Sequence, residues 1–153
     1  MDGLCMYGSI LLPTDGSDGA SNATAHALDA ADRYGATLHV LHVIDSSVYE
    51  SYSGDEYVHE FEGLETGLTQ SGEEALEDVA QRARDRGIAV ETYLTRGEPH
   101  EEILRYATDN DIEVIVLGSR DRSGEYRRLL GSVTERVARM ASQPVTIVKT
   151  SVE

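Results

Sequence analysis

Short apolar runs alternate along this chain with longer stretches whose apolar residues recur every three or four positions. Ile10–Leu12 is a three-residue apolar run entering Pro13-Thr14-Asp15, a short strand that ends in a turn. From Ala20 to Tyr34, residues Ala23, Ala27, Ala30, Ala31 and Tyr34 fall on one helical stripe, and Gly35 stops it. Thr37–Ile44 is apolar and β-branched, a second strand. Leu68, Ala75, Leu76, Val79, Ala80 and Ala83 mark a second helix, closed by Gly87. Ile88–Leu94 is a third strand. Gly97-Glu98-Pro99 opens a third helix with Ile103, Leu104 and Ala107 on its buried face. Glu113–Leu117 is a fourth strand ending at Gly118, Ser132–Met140 a fourth helix, and Pro144–Lys149 a fifth strand.

Strict alternation of strand and helix predicts an α/β fold with a parallel sheet, right-handed crossovers and helices on both faces. With 153 residues and no linker, repeat or low-complexity stretch, residues 1–153 read as a single domain. One connection is long. Asp45 to about Gly67 joins the second strand to the second helix and carries Tyr49, Tyr52, Tyr57 and Phe61 among acids. It reads as a solvated, partly disordered insertion, with a ligand lid as the other reading.

In doubly wound sheets a ligand sits beyond the carboxyl ends of the strands, where the strand order reverses. Two segments have suitable chemistry. One is Pro13-Thr14-Asp15-Gly16-Ser17 after the first strand; the other runs from Gly118 to Ser132 after the fourth. The second suits a polyphosphate. Gly118, Gly124 and Gly131 permit close backbone approach, and Arg120, Arg122, Arg127 and Arg128 are clustered within it. Gly131-Ser132 stands at a helix start, where backbone N–H groups attract anions. The competing reading is a capping box over Ser132-Val133-Thr134-Glu135, which satisfies some of those N–H groups without a ligand. Glycines together with local arginine favour the anion.

The overall charge sharpens this. Asp and Glu number 28 against 13 Lys and Arg, for a net charge of −15. Such a chain repels nucleic-acid backbones and anionic membranes, so a cluster of arginines in it is informative. Lys149 is the only lysine. Surplus acid with so little lysine resembles a surface adapted to very salty cytoplasm, where salt screens the repulsion between hydrated carboxylates. Cys5 is the only cysteine, which excludes an intrachain disulfide and fits a reducing cytoplasm. No secretory pattern begins the chain, and no apolar run approaches the ~18 residues of a membrane span.

Several segments together resemble the universal stress protein family over nearly the whole length. Tyr7–Ser17 looks like its opening strand and Asp-Gly-Ser turn, and Leu41–Asp45 like its second strand. Arg96-Gly97-Glu98-Pro99 looks like the turn before its third helix. Gly118-Ser119 through Gly131-Ser132-Val133-Thr134-Glu135 looks like its nucleotide loop, and Pro144–Lys149 like its last strand. The resemblance implies a five-stranded parallel sheet of order 3-2-1-4-5, an adenine nucleotide alpha hydrolase-like fold. It also implies a start near Met6, leaving Met1–Cys5 as an N-terminal extension. A homodimer joined through the edge strand Val145–Lys149 is implied too, since an edge strand has free N–H and C=O groups to pair.

The resemblance further implies an ATP site. Pro13, Thr14 and Asp15 would border the adenosine, with Asp15 bonded to the nucleoside, and Val43 would pack on the base. Leu117, Gly118 and Arg120 would line the ribose and phosphate approach, and Gly131, Ser132 and Val133 would present N–H groups and a hydroxyl to the phosphates. Family members that bind nucleotide carry Gly, two residues, Gly, nine residues, then Gly followed by Ser or Thr. Here Gly118 and Gly131-Ser132 keep the outer spacing, but the middle position is Asp121. A carboxylate there could repel phosphate, or could hold a Mg2+ ion between protein and phosphates.

Other chemistry fits less well. His26, His39, His42, His59 and His100 have no zinc-helix spacing; His39 and His42 should point to opposite faces of their strand, as structural or exposed residues. There is no Gly-x-Ser-x-Gly elbow and no P-loop lysine. A phospho-receiver domain lacks its acceptor, because Leu94-Thr95-Arg96 ends the third strand without an aspartate. The leading expectation is an ATP-binding stress-response regulator or sensor, with ATP hydrolysis slow at most because no base positioned to activate water is evident. The alternative is a dimerisation or partner-binding module without nucleotide, favoured by Asp121; a true nucleotide hydrolase is the third reading.

Overall fold

The computed structural model describes residues 7–14, 18–46, 58–119 and 131–149. The elements are β1 (Ser9–Pro13), α1 (Asp18–Tyr34), β2 (Thr37–Asp45), α2 (Val58–Asp85), β3 (Val90–Gly97), α3 (Pro99–Asp109), β4 (Val114–Gly118), α4 (Ser132–Met140) and β5 (Val145–Val148). The five strands form one parallel sheet in the order β3-β2-β1-β4-β5, as the resemblance implies.

Consecutive residues in the central strands alternate between two apolar clusters. Ile10, Leu12, Leu38, Val40, Val114 and Val116 pack with Ala23, Ala27 and Ala31 of α1 and Leu76, Val79 and Ala83 of α2. Leu11, Leu41, Ile115 and Leu117 pack on the other face with Ile103 and Ala107 of α3 and Val137 of α4. Two covered faces explain why Ile10-Leu11-Leu12 and Val114–Leu117 are unbroken apolar runs. Ile10, Leu11 and Leu12 are fully buried, each contributing about 1.5–3 kcal/mol of hydrophobic stabilisation.

Both long helices of the first face stop at a left-handed glycine. Gly35 has φ 67° and Gly87 has φ 73°, a conformation that a β-carbon disfavours. The chain then turns back: Ala36 N–H donates to the Ala31 carbonyl at 3.0 Å and Ile88 N–H to Ala83 at 2.9 Å.

Two element boundaries and one cap depart most from the sequence reading. α2 begins at Val58, so much of the supposed Asp45–Gly67 connection is helix. Val58, Phe61, Leu64 and Leu68 recur every three or four positions, but Gly63 and Gly67 between them read as loop; a glycine on an exposed helical turn is tolerated. Tyr49, Tyr52 and Tyr57 lie outside the described residues, and the lid reading with them. β3 runs from Val90 to Gly97, later than expected, because pairing with Leu38–Asp45 of β2 decides its extent. The capping box is not formed: Gly131 is the N-cap of α4, Ser132 already lies in the helix, and the cap makes no side-chain bond.

Candidate functional site

The order of the sheet reverses at β1. The chain passes from β1 through α1 to β2 on one side, and returns through α3 to β4 on the other. The carboxyl ends of β1 and β4 therefore open beside each other with their connections diverging, the location where such sheets bind ligands.

Thr14 follows the last residue of β1 and is buried. Its N–H donates to the Leu41 carbonyl at 2.8 Å, continuing the pairing that sets Pro13 opposite Leu41. Its own carbonyl lies 2.8 Å from Nδ1 of His42. A carbonyl only accepts, so that nitrogen carries the hydrogen.

On the β4 side, Ser119 N–H donates to the Val148 carbonyl of β5 at 3.0 Å. The Ser119 carbonyl accepts the N–H of Gly131 at 2.8 Å. One turn into α4, the Thr134 hydroxyl donates to the Gly118 carbonyl at 2.7 Å. These two bonds pin the start of α4 to the end of β4. The segment 120–130, which carries four arginines, leaves and returns at that point.

Of the site residues expected from sequence, eight are described: Pro13, Thr14, Val43, Leu117, Gly118, Gly131, Ser132 and Val133. Asp15 and Arg120 lie outside the described residues, as do Asp121 and Gly124. Val43, Leu117 and Val133 meet in the apolar cluster under α3 and α4. Ser132 is exposed at the helix start. The amide of Gly131, expected to face phosphate, donates instead to the Ser119 carbonyl.

Two residues acquire a place that their sequence pattern did not suggest. Thr134 read as part of a capping box but ties α4 to β4. His42, read as structural or exposed, is structural: it bonds the carbonyl of the residue that leaves β1, a partner the pattern did not name. Neither partnership has a local signal, because each joins segments brought together only by strand order. His39 and His42 do face opposite sides: His39 bonds the Tyr106 hydroxyl of α3 at 2.8 Å, while His42 lies against Gly72 of α2. Among the described residues no cluster of three or more His, Cys, Asp or Glu could hold a metal ion, and no helix is long and apolar enough to cross a membrane.

Residues 6–149 match the model of the universal stress protein family. The chain belongs to the universal stress protein family. It is 34% identical over 144 residues to universal stress protein MJ0531 of Methanocaldococcus jannaschii, covering 94% of this chain and 83% of that one. Its fold superposes on the solved structure of MJ0577 from the same organism with TM-score 0.85 and 32% identity, covering 97% and 99% of the two chains. A universal stress protein from Archaeoglobus fulgidus, solved in complex with dAMP, shares the fold at TM-score 0.67 and 23% identity, covering 94% and 99%.

Proposed function

We propose that this universal stress protein binds ATP in the crevice where β1 and β4 end, and acts as a homodimeric stress-response regulator or sensor. The observation that carries the reading is the double attachment of α4 to β4, Gly131 to Ser119 and Thr134 to Gly118. It sets a helix N-terminus, with its partial positive charge, at the topological switch point of the sheet. The arginine-bearing segment 120–130 springs from the same point, a local cationic source in a chain of net charge −15.

In this reading the adenosine lies against Pro13, Thr14 and Asp15, with Val43 and Leu117 beneath it. The phosphates meet Gly118, Arg120, the Ser132 hydroxyl and the amides of Ser132 and Val133, with Mg2+ neutralising part of their charge. Two fold neighbours were solved with nucleotides, one in complex with cAMP and the Archaeoglobus fulgidus protein with dAMP. The free edge of β5 supplies the surface through which two copies would pair.

Asp121 is the observation behind the second reading, a partner-binding module without nucleotide. Calorimetry with Mg-ATP at low and at molar KCl separates the two. Saturable binding below millimolar nucleotide supports the ATP reading. No heat at millimolar nucleotide overturns it and leaves the partner-binding module. Asp121→Gly should tighten binding several-fold, and more at low salt, because it removes a carboxylate from beside the phosphates.

A further inference from the structure

Glycine is disfavoured inside a helix, yet Gly72 sits in the interior of the 28-residue α2 and is buried. Space accounts for it. A β-carbon at residue 72 would lie 2.7 Å from Cδ2 and 3.1 Å from Nε2 of His42, and 2.9 Å from Cδ1 of Leu94. Contacts that short cannot persist, so an alanine there would push the imidazole aside. The missing methyl lets α2 lie directly on the His42 ring.

On its other nitrogen the same ring holds the Thr14 carbonyl at 2.8 Å. Thr14 is thus fixed at both of its backbone polar groups by consecutive residues of β2: its N–H by the Leu41 carbonyl, its carbonyl by His42.

We propose that His42 is a positioning residue of the nucleotide site. Seated by Gly72, its imidazole holds the Thr14 carbonyl and so fixes the residue that, in the ATP reading, borders the adenosine at the end of β1. The inference rests on the ATP reading above and deepens it: affinity at the nucleoside end depends on a histidine that acts through the Thr14 carbonyl.

Three variants test it. His42→Asn places an amide N–H where Nδ1 stood, and His42→Leu fills the space without a donor. Gly72→Ala displaces the ring without altering it. Thermal melting of each variant distinguishes a lost fold from a lost contact; should His42→Leu not fold, Gly72→Ala and His42→Asn carry the comparison. In the ligand-free wild type, long-range 1H–15N spectra should find His42 protonated at Nδ1. Mg-ATP binding should weaken about five- to ten-fold in His42→Leu and Gly72→Ala, as expected for losing one hydrogen bond. It should return to within about two-fold in His42→Asn. Equal affinity across folded variants overturns this role and leaves the ATP reading intact. A His42 protonated only at Nε2 also overturns it. No binding by the wild type at millimolar nucleotide overturns the ATP reading, and this role with it.

Discussion

The hydroxyl of Thr134, in the first turn of α4, donates to the carbonyl of Gly118 at the end of β4, 2.7 Å away. Thr134 is buried, so removing its hydroxyl leaves that carbonyl without this donor in a water-poor setting. Thr134→Val keeps the shape and should destabilise the protein by about 1–3 kcal/mol. Thr134→Ser keeps the hydroxyl and should recover much of the bond. Urea denaturation checks this, with the midpoint falling in Thr134→Val while the slope is unchanged.

His39 gives the fold a dependence on acid. Burial pushes its imidazole below the ordinary histidine value, while the charge of Glu91, its register partner on β3, pulls the other way. On acidification the unfolded chain therefore takes up its proton before the folded one does. The contribution of His39 is complete above about pH 6.5 and is lost as pH falls through the folded value. The melting temperature should drop below pH 6.5 in the wild type, and His39→Gln should flatten that part of the curve. If the two proteins show parallel pH profiles, the assignment is wrong.

Tyr106, bonded to His39 and with its ring tilted against that of Tyr93 at 5.5 Å, responds at the opposite end of the scale. Burial raises its phenol above the ordinary value, helped by the charge of Glu91 and by Tyr93. Its contribution is complete below about pH 10 and is lost as pH rises through the folded value, because the unfolded chain ionises first. Tyr106→Phe should remove this alkaline loss, as read by melting between pH 9 and 11.

Arg86, just beyond α2, bonds Asp29 and Asp32 of α1, both at 3.0 Å. These are exposed pairs in a molecule of net charge −15, where like charges outnumber opposite ones. Molar KCl should raise the melting temperature of the wild type by screening that repulsion. Arg86→Ala should melt lower at low salt, and the gap should narrow in KCl because the lost pairs are screened as well. A wild-type midpoint that ignores KCl contradicts the expectation.

The free edge at β5 makes the proposed dimer testable. Light scattering should give twice the 16.7 kDa of one chain. Thr146→Lys puts a charge on that edge strand and should yield a monomer of unchanged circular dichroism. A wild type that scatters as a monomer at micromolar concentration excludes this dimer.

Much of the architecture is carried by local pattern. Ile10–Leu12 and Val114–Leu117 are apolar without alternation, so they had to be strands covered on both faces. The stripe of Ala23, Ala27 and Ala31 had to be a helix facing them. The first ten residues of α2 were missed although Val58, Phe61, Leu64 and Leu68 recur at helical spacing, because Gly63 and Gly67 among acidic residues read as loop. The bounds of β3 were not legible either, because the ladder with β2 extends it to Gly97.

The candidate site divides in the same way. Sequence by itself determined that five strands alternate with four helices, because periodicity acts over a few neighbours. Only the tertiary structure decided that Gly131 gives its amide to Ser119, that Thr134 ties helix to strand rather than capping it, and that His42 reaches the Thr14 carbonyl over a glycine. Each of these joins residues 12 to 30 positions apart, or helix to strand across a face. Such partnerships depend on strand order and register, which no short window of sequence contains.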